Sequence, residues 1–161
     1  MILGVGELGA SAQPGAMIKT YALGSCVAVM ILDRNTRCVG MAHVALPEST
    51  TLQQKAKTLP GYFADTAIPA LFNEMKKATN GILSQRKDLV VKICGGANIS
   101  DPNAVFNIGK RNALAIKKNL WKYGLAPRSE DTGGDFSRTV TLHQSNGVAE
   151  ITSPLKENWR I

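Results

Sequence analysis

Of three cysteines and two histidines in this chain, one pair sits where nucleophilic catalysis is possible. Cys26 ends the stretch Thr20-Tyr21-Ala22-Leu23-Gly24-Ser25-Cys26 and directly precedes Val27-Ala28-Val29-Met30-Ile31-Leu32, the most apolar strand-like run. A free thiol, with a pKa of about 8.5, is only slightly ionised at neutral pH, whereas an adjacent imidazolium lowers that value and supplies the thiolate. His43 is the histidine with an apolar neighbourhood. It lies in Arg37 to Ala45, which reads as a second strand ended by Leu46-Pro47, because proline cannot continue a central ladder. Closing the hairpin symmetrically about Arg34-Asn35 sets Cys26 directly opposite His43, where Cβ atoms are about 5 Å apart. Arg-Asn is not the Asn-Gly type that two-residue loops prefer. A loop of odd length would move the partner by one, whereas a four-residue loop keeps this register.

In such a pair Cys26 is the nucleophile and His43 the acid and base. Backbone N–H groups at the Gly24-Ser25-Cys26 bend are placed to form an oxyanion hole, and Thr20 is near enough to return as an orienting hydroxyl. The competing reading is a structural cysteine beside a satisfied core histidine, and the residues alone leave both open. Cys38 falls on the opposite hairpin face and reads as core. Cys94 ends the strand Leu89 to Cys94 and also reads as core, and the Gly95-Gly96 behind it reads as a tight turn, because the Walker lysine and the Rossmann glycine spacing are both missing.

These residues must be held by strands. Met1 to Val5, Ala16 to Tyr21, Leu89 to Cys94, Leu125 to Ser129, Phe136 to Gln144 and Val148 to Thr152 all have strand composition. The last two form a hairpin about Asn146-Gly147, which sets His143 opposite Glu150 as a surface ion pair. Both faces of the Cys26/His43 hairpin are apolar, so a layered architecture is expected. Tyr62 to Thr79 reads as a helix with Asp65 as N-cap and Pro69 in its first turn. Phe106 to Tyr123 reads as a second helix with Ile108, Leu114, Ala115 and Trp121 among its apolar positions, a solvated basic face, and Gly124 just past its end. Glu48 to Gly61 reads as an exposed loop, either a substrate-contacting lid or a solvated connector.

With 161 residues and 44% hydrophobic content the chain suits one domain, residues 1–161. Its formal net charge of +7 implies a negatively charged partner: nucleic acid, a membrane surface or an acidic protein. Aromatic content of 6%, no zinc-finger spacing and scattered lysines argue against nucleic acid, so the charge is read as steering. An odd cysteine count without CxxC spacing argues against a disulfide framework. With no basic leader and no bilayer-length apolar run, a soluble cytoplasmic protein without membrane insertion is expected.

Leu-Gly-Ser-Cys-Val at 23–27, with a threonine six residues before the cysteine, and Gly-x-Ala-His-x-x-Leu-Pro at 40–47 resemble the CheD family of chemotaxis proteins. Cys94-Gly-Gly-Ala, Phe106-Asn-Ile-Gly-Lys-Arg-Asn112, Gly133-Gly134 and Ser137-Arg138 extend the resemblance over nearly the whole chain. The resemblance implies an α+β fold, a layered α/β/β sandwich with mixed, mainly antiparallel sheets. It implies a chemoreceptor glutamine deamidase with Cys26, His43 and Thr20 as catalytic residues and neither cofactor nor metal. Its implied partners are receptor cytoplasmic helices as substrate and the CheC phosphatase, with receptor methylesterase activity a less direct implication. An adaptor that engages receptor or phosphatase, with catalysis secondary, is the other reading, and a cysteine protease is the third.

Overall fold

The computed structural model describes residues 1–99, 105–154 and 156–161. Its strands are β1 (Ile2–Leu3), β2 (Leu8–Ser11), β3 (Met17–Leu23), β4 (Val27–Asp33), β5 (Val39–Val44), β6 (Leu89–Gly95), β7 (Pro127–Thr132), β8 (Arg138–His143), β9 (Ala149–Ser153) and β10 (Lys156–Arg160). The helices are α1 (Gln53–Thr58), α2 (Ala64–Ala78) and α3 (Ile108–Lys122). One sheet has the order β1-β3-β8-β9-β10 and the other β2-β5-β4-β6-β7. Among the described strands, only β1 on β3 and β6 on β7 pair in parallel.

The alternation within β4 and β5 builds the layers. Val27, Val29, Ile31, Cys38, Ala42 and Val44 face a core shared with Ala67, Ile68, Leu71 and Met75 of α2 and Ile116 and Leu120 of α3. Ala28, Met30, Leu32, Val39 and Met41 face the other sheet, packing with Ile18, Leu23, Val140, Leu142 and Ile151. A sheet apolar on both faces must be covered twice, and the result is the expected α+β, α/β/β sandwich. Cys38 lies in the helix-facing core, and His43 lies on the inter-sheet side.

Both hairpin registers depart from expectation by two residues. Ala28 and not Cys26 pairs with His43, and Thr141 and not His143 pairs with Glu150. In each case the loop has four residues, with a left-handed residue at its last position, Arg37 (φ 59°) and Gly147 (φ 68°), and its centre lies one residue from the assumed one, on Asn35-Thr36 and on Ser145-Asn146. In the first loop the Asp33 carboxylate accepts from the N–H groups of Asn35 (3.0 Å) and Thr36 (3.3 Å). This side-chain turn competes successfully with a two-residue turn needing positive φ at both central positions. An even offset keeps every side chain on its assigned face. His143 Nε2 accordingly still reaches Glu150 Oε2, at 3.1 Å.

Other differences are local. The stretch 48–61 carries α1, which buries no residue. Helix α2 starts before Asp65, so Pro69 falls in its second turn and cannot bond the Asp65 carbonyl. Asp65 instead accepts from the backbone and hydroxyl of Ser49. Strand β7 continues through Glu130 to Thr132, where a turn was expected, and β2 and β10 lie outside the expected strands. In α3, Leu114 (56% exposed) and Trp121 (67%) face outward, while Asn112 and Asn119 are buried. The inward stripe is Gly109, Asn112, Ala113, Ile116, Asn119 and Leu120. It places a polar residue where hydrophobic periodicity looks for an apolar one.

Candidate active site

The site lies where the chain crosses between sheets. Strand β3 belongs to one and β4 to the other, and Gly24-Ser25-Cys26 is the connection. Just before it, pairing of β3 with β8 slips by one residue between Thr20 and Leu23, with Ala22 left-handed (φ 53°). Such an irregularity redirects a strand and is common beside active sites. Leu23 is thereby buried in the inter-sheet core, and Cys26 emerges half-buried at the start of β4.

Cys26 precedes the Val27–Val44 and Ala28–His43 pairs, so it is diagonal to His43 on one face. Diagonal neighbours have Cα atoms about 7–8 Å apart with Cβ atoms somewhat closer, within reach of longer side chains. The His43 backbone is gripped on both sides, its N–H donating to Glu7 O (2.9 Å) and its carbonyl accepting from Gly6 N (2.8 Å). Its ring, 2% exposed, meets the fully buried Thr20 from the opposite sheet, with Oγ1 2.7 Å from Nδ1.

Proton inventory fixes the tautomer. Thr20 Oγ1 also lies 2.8 Å from Leu3 O, which can only accept, so the single hydroxyl proton goes there. Oγ1 must then accept from His43 Nδ1–H. The lone pair is left on Nε2, which has no hydrogen-bond partner among the described residues. Thr20→Val, which keeps the shape and removes the anchor, is expected to lower kcat roughly 100-fold by releasing ring orientation and tautomer. Steady-state kinetics checks this, and Thr20→Ser should retain most of the rate.

Burial sets the charges. It lowers His43 from 6.5 to about 4. It raises the Cys26 thiol, an effect partly opposed by a hydrogen bond from the residue's own backbone N–H. The free protein therefore holds a neutral thiol beside a neutral imidazole at pH 7, rather than the expected thiolate and imidazolium. Cys38 is pushed up to about 11 and Cys94 to about 12, so both stay protonated in the core. The His43 value also affects stability. With the folded pKa below the unfolded one, the unfolded chain binds more protons between the two values, so stability rises with pH there. The contribution is full above pH 6.5 and is lost as pH falls toward about 4. Its total is about 3 kcal/mol. Urea unfolding across that window should show an acid limb that His43→Ala lacks.

The Gly24-Ser25-Cys26 bend is tied down through its carbonyls. Gly24 O accepts from Ala97 N (2.7 Å) and Cys26 O from Gly96 N (2.8 Å). Asn112 Nδ2 donates to Ser25 O and to Ala45 O, 2.9 Å each. In a trans peptide the N–H points opposite to the C=O. The N–H groups of Ser25 and Cys26 therefore face away from this wall, and neither is used in a backbone hydrogen bond among the described residues. Close approach requires glycine here: a Cβ on Gly95 would lie 2.3 Å from Cys26 O, and one on Gly109 2.3 Å from Gly96 O. The glycine pair after Cys94 thus turns the chain and seats the Cys26 bend.

A family model described as CheD chemotactic sensory transduction matches residues 45–153. A curated relative from Syntrophotalea carbinolica, named as a probable chemoreceptor glutamine deamidase, is 50% identical over all of this chain and 98% of its own. This chain belongs to the CheD family. Another CheD relative with the same descriptive name, from Syntrophus aciditrophicus, is 40% identical over 98% of each chain. One from Methanococcus maripaludis is 42% identical over 89% of this chain and 88% of its own. The CheD family-model match begins after His43, so within this chain the grouping of Thr20, Cys26 and His43 rests on geometry.

Thr20 and His43 meet in the inter-sheet space, and Cys26 packs against the same core from the position diagonal to His43, with Gly24 and Ser25 just before it in the chain. Hydrophobic periodicity missed Asn112. The available signal was an asparagine in a helix interior four residues before Ile116, where side chains of this type compete with the backbone and need a partner. No described helix is long and apolar enough to cross a membrane.

Proposed function

We propose that residues 1–161 act as one cysteine-hydrolase unit that deamidates glutamine side chains of chemoreceptor cytoplasmic helices, as the names of its relatives suggest. The observation that carries the reading is the Leu3–Thr20–His43 hydrogen-bond chain. It leaves a bare, neutral Nε2 on the face of a half-buried thiol. As Cys26 Sγ attacks the side-chain amide carbon, its proton passes to His43 Nε2, and the oxyanion accepts from the Ser25 and Cys26 N–H groups. His43 Nε2–H then protonates the amide nitrogen, the C–N bond breaks and ammonia leaves a thioester. Water gives a proton to Nε2 and attacks the thioester, and the thiolate recovers that proton as glutamate departs. The balance is one glutamine and one water in, one glutamate and one ammonia out.

A neutral resting pair defers the charged state until substrate arrives, which limits side reactions of the thiol. It is also compatible with a chain whose main effect is to engage a receptor or the CheC phosphatase. Incubation with receptor cytoplasmic fragments and peptide mass mapping decides the matter. Amide-to-acid conversion at glutamines supports the deamidase, and binding without conversion leaves the adaptor. Cleaved main chain would instead indicate a protease.

A further inference from the structure

We infer that Asn112 is a positioning residue for the reaction, acting through the Ser25–Cys26 peptide to aim the oxyanion-binding N–H; this rests on the deamidase reading above. Asn112 is fully buried in the second turn of α3. Among the described residues, its side-chain hydrogen bonds run to two carbonyls that flank the proposed catalytic residues: Ser25 O, before the nucleophile, and Ala45 O, two residues beyond His43. Carbonyl oxygens only accept, so the amide must present its NH2 to both. Its Oδ1 is left buried without a partner among the described residues, at a desolvation cost that shape-matched apolar side chains avoid.

The consequence follows from peptide geometry. Holding Ser25 O against α3 fixes the rotation of the planar Ser25–Cys26 unit, and so fixes where the Cys26 N–H points. That N–H points away from the α3 wall, because it is anti to the Ser25 carbonyl that Asn112 holds there. Donation into Ser25 O also polarises the peptide, making its N–H a stronger donor to developing negative charge. The bond to Ala45 O holds the end of β5 to the same side chain, so one amide sets the spacing between the nucleophile bend and the histidine strand.

The test compares two reactions of the same thiol. Deamidation builds an oxyanion, whereas alkylation by iodoacetamide displaces iodide at a saturated carbon and builds none. Asn112→Asp keeps the shape but offers the carbonyls no N–H, and Asn112→Ser keeps one donor in a smaller side chain. On a receptor cytoplasmic fragment, kcat should fall about 100-fold in Asn112→Asp and about 10-fold in Asn112→Ser. KM and the rate of Cys26 alkylation should stay within about twofold of wild type. Should Asn112→Asp not fold, judged by circular dichroism, the Asn112→Ser comparison decides. A folded variant with wild-type kcat overturns the inference, and so does alkylation that falls in step with kcat, since that reports general loss of the bend. Cys26→Ser run alongside separates the two readings. If it still deamidates, the nucleophile assignment fails and takes this inference with it; if it is inactive while Asn112→Asp is not, only the role of Asn112 is lost.

Discussion

Cys26→Ser should abolish glutamine deamidation, lowering kcat by at least roughly 1,000-fold, while Cys38→Ser and Cys94→Ser keep it. A serine hydroxyl is far less acidic than a thiol, and His43, held near 4 by burial, is too weak a base to compensate. The other cysteines are fully buried, Cys38 on the helix-facing side and Cys94 across β4 from His43, paired with Ala28. Cys94 shares the face of His43, so exposure and not sidedness separates it from Cys26. Cys26 lies outside the strand, where serine fits without strain, so the variant should fold and still bind the receptor fragment. Peptide mass mapping reads the reaction and circular dichroism the fold. Wild-type turnover in folded Cys26→Ser would remove the covalent mechanism.

Substituting His43 should be nearly as severe. In the proposed mechanism His43→Ala takes away the group that accepts the thiol proton, protonates departing ammonia and activates water, and general acid–base catalysis alone contributes roughly 100- to 10,000-fold. The loss should appear in kcat more than in KM, because His43 sits 2% exposed behind the nucleophile bend and offers little surface to substrate. The thiol should remain alkylatable at alkaline pH, where it ionises unaided. A variant that deamidates at the wild-type rate would show that Nε2 is a spectator.

The sequence exposed the sidedness of this site but not its contacts. Alternation in β4 and β5 put Cys26 and His43 on one face, and this survived a register error because the error was even. The size of the error was hidden in the Asp33 carboxylate, whose bonds to Asn35 and Thr36 centre the four-residue loop on those two residues, one position beyond the assumed Arg34-Asn35. Thr20 was legible only as near in sequence. What makes it useful is the slip at Tyr21–Ala22 and the packing of one sheet on the other, and neither has a local signature. Resting charge states were misread for the same reason: the expected imidazolium assumed a solvated pair, and burial disfavours charge on both groups. Asn112 was invisible to a reading that looks for apolar stripes, since it occupies the stripe as a polar residue.

A hydroxyl has one proton to give, and in this protein a two-residue strand at the rim of a sheet decides where it goes. Strand β1 supplies no side chain to the reaction, yet its Leu3 carbonyl is the end-stop that draws the Thr20 proton away from the imidazole. Were β1 peeled from β3, the same hydroxyl would be free to turn and donate to Nδ1. The ring's own proton would then move to Nε2, and the base would become a donor facing the thiol. Cys26, His43 and Thr20 would all be present and in place, with the proton on the wrong nitrogen for the proposed reaction. Strand β1 thus acts as a selector of chemical state, and displacing it should silence the proposed reaction without touching Cys26, His43 or Thr20.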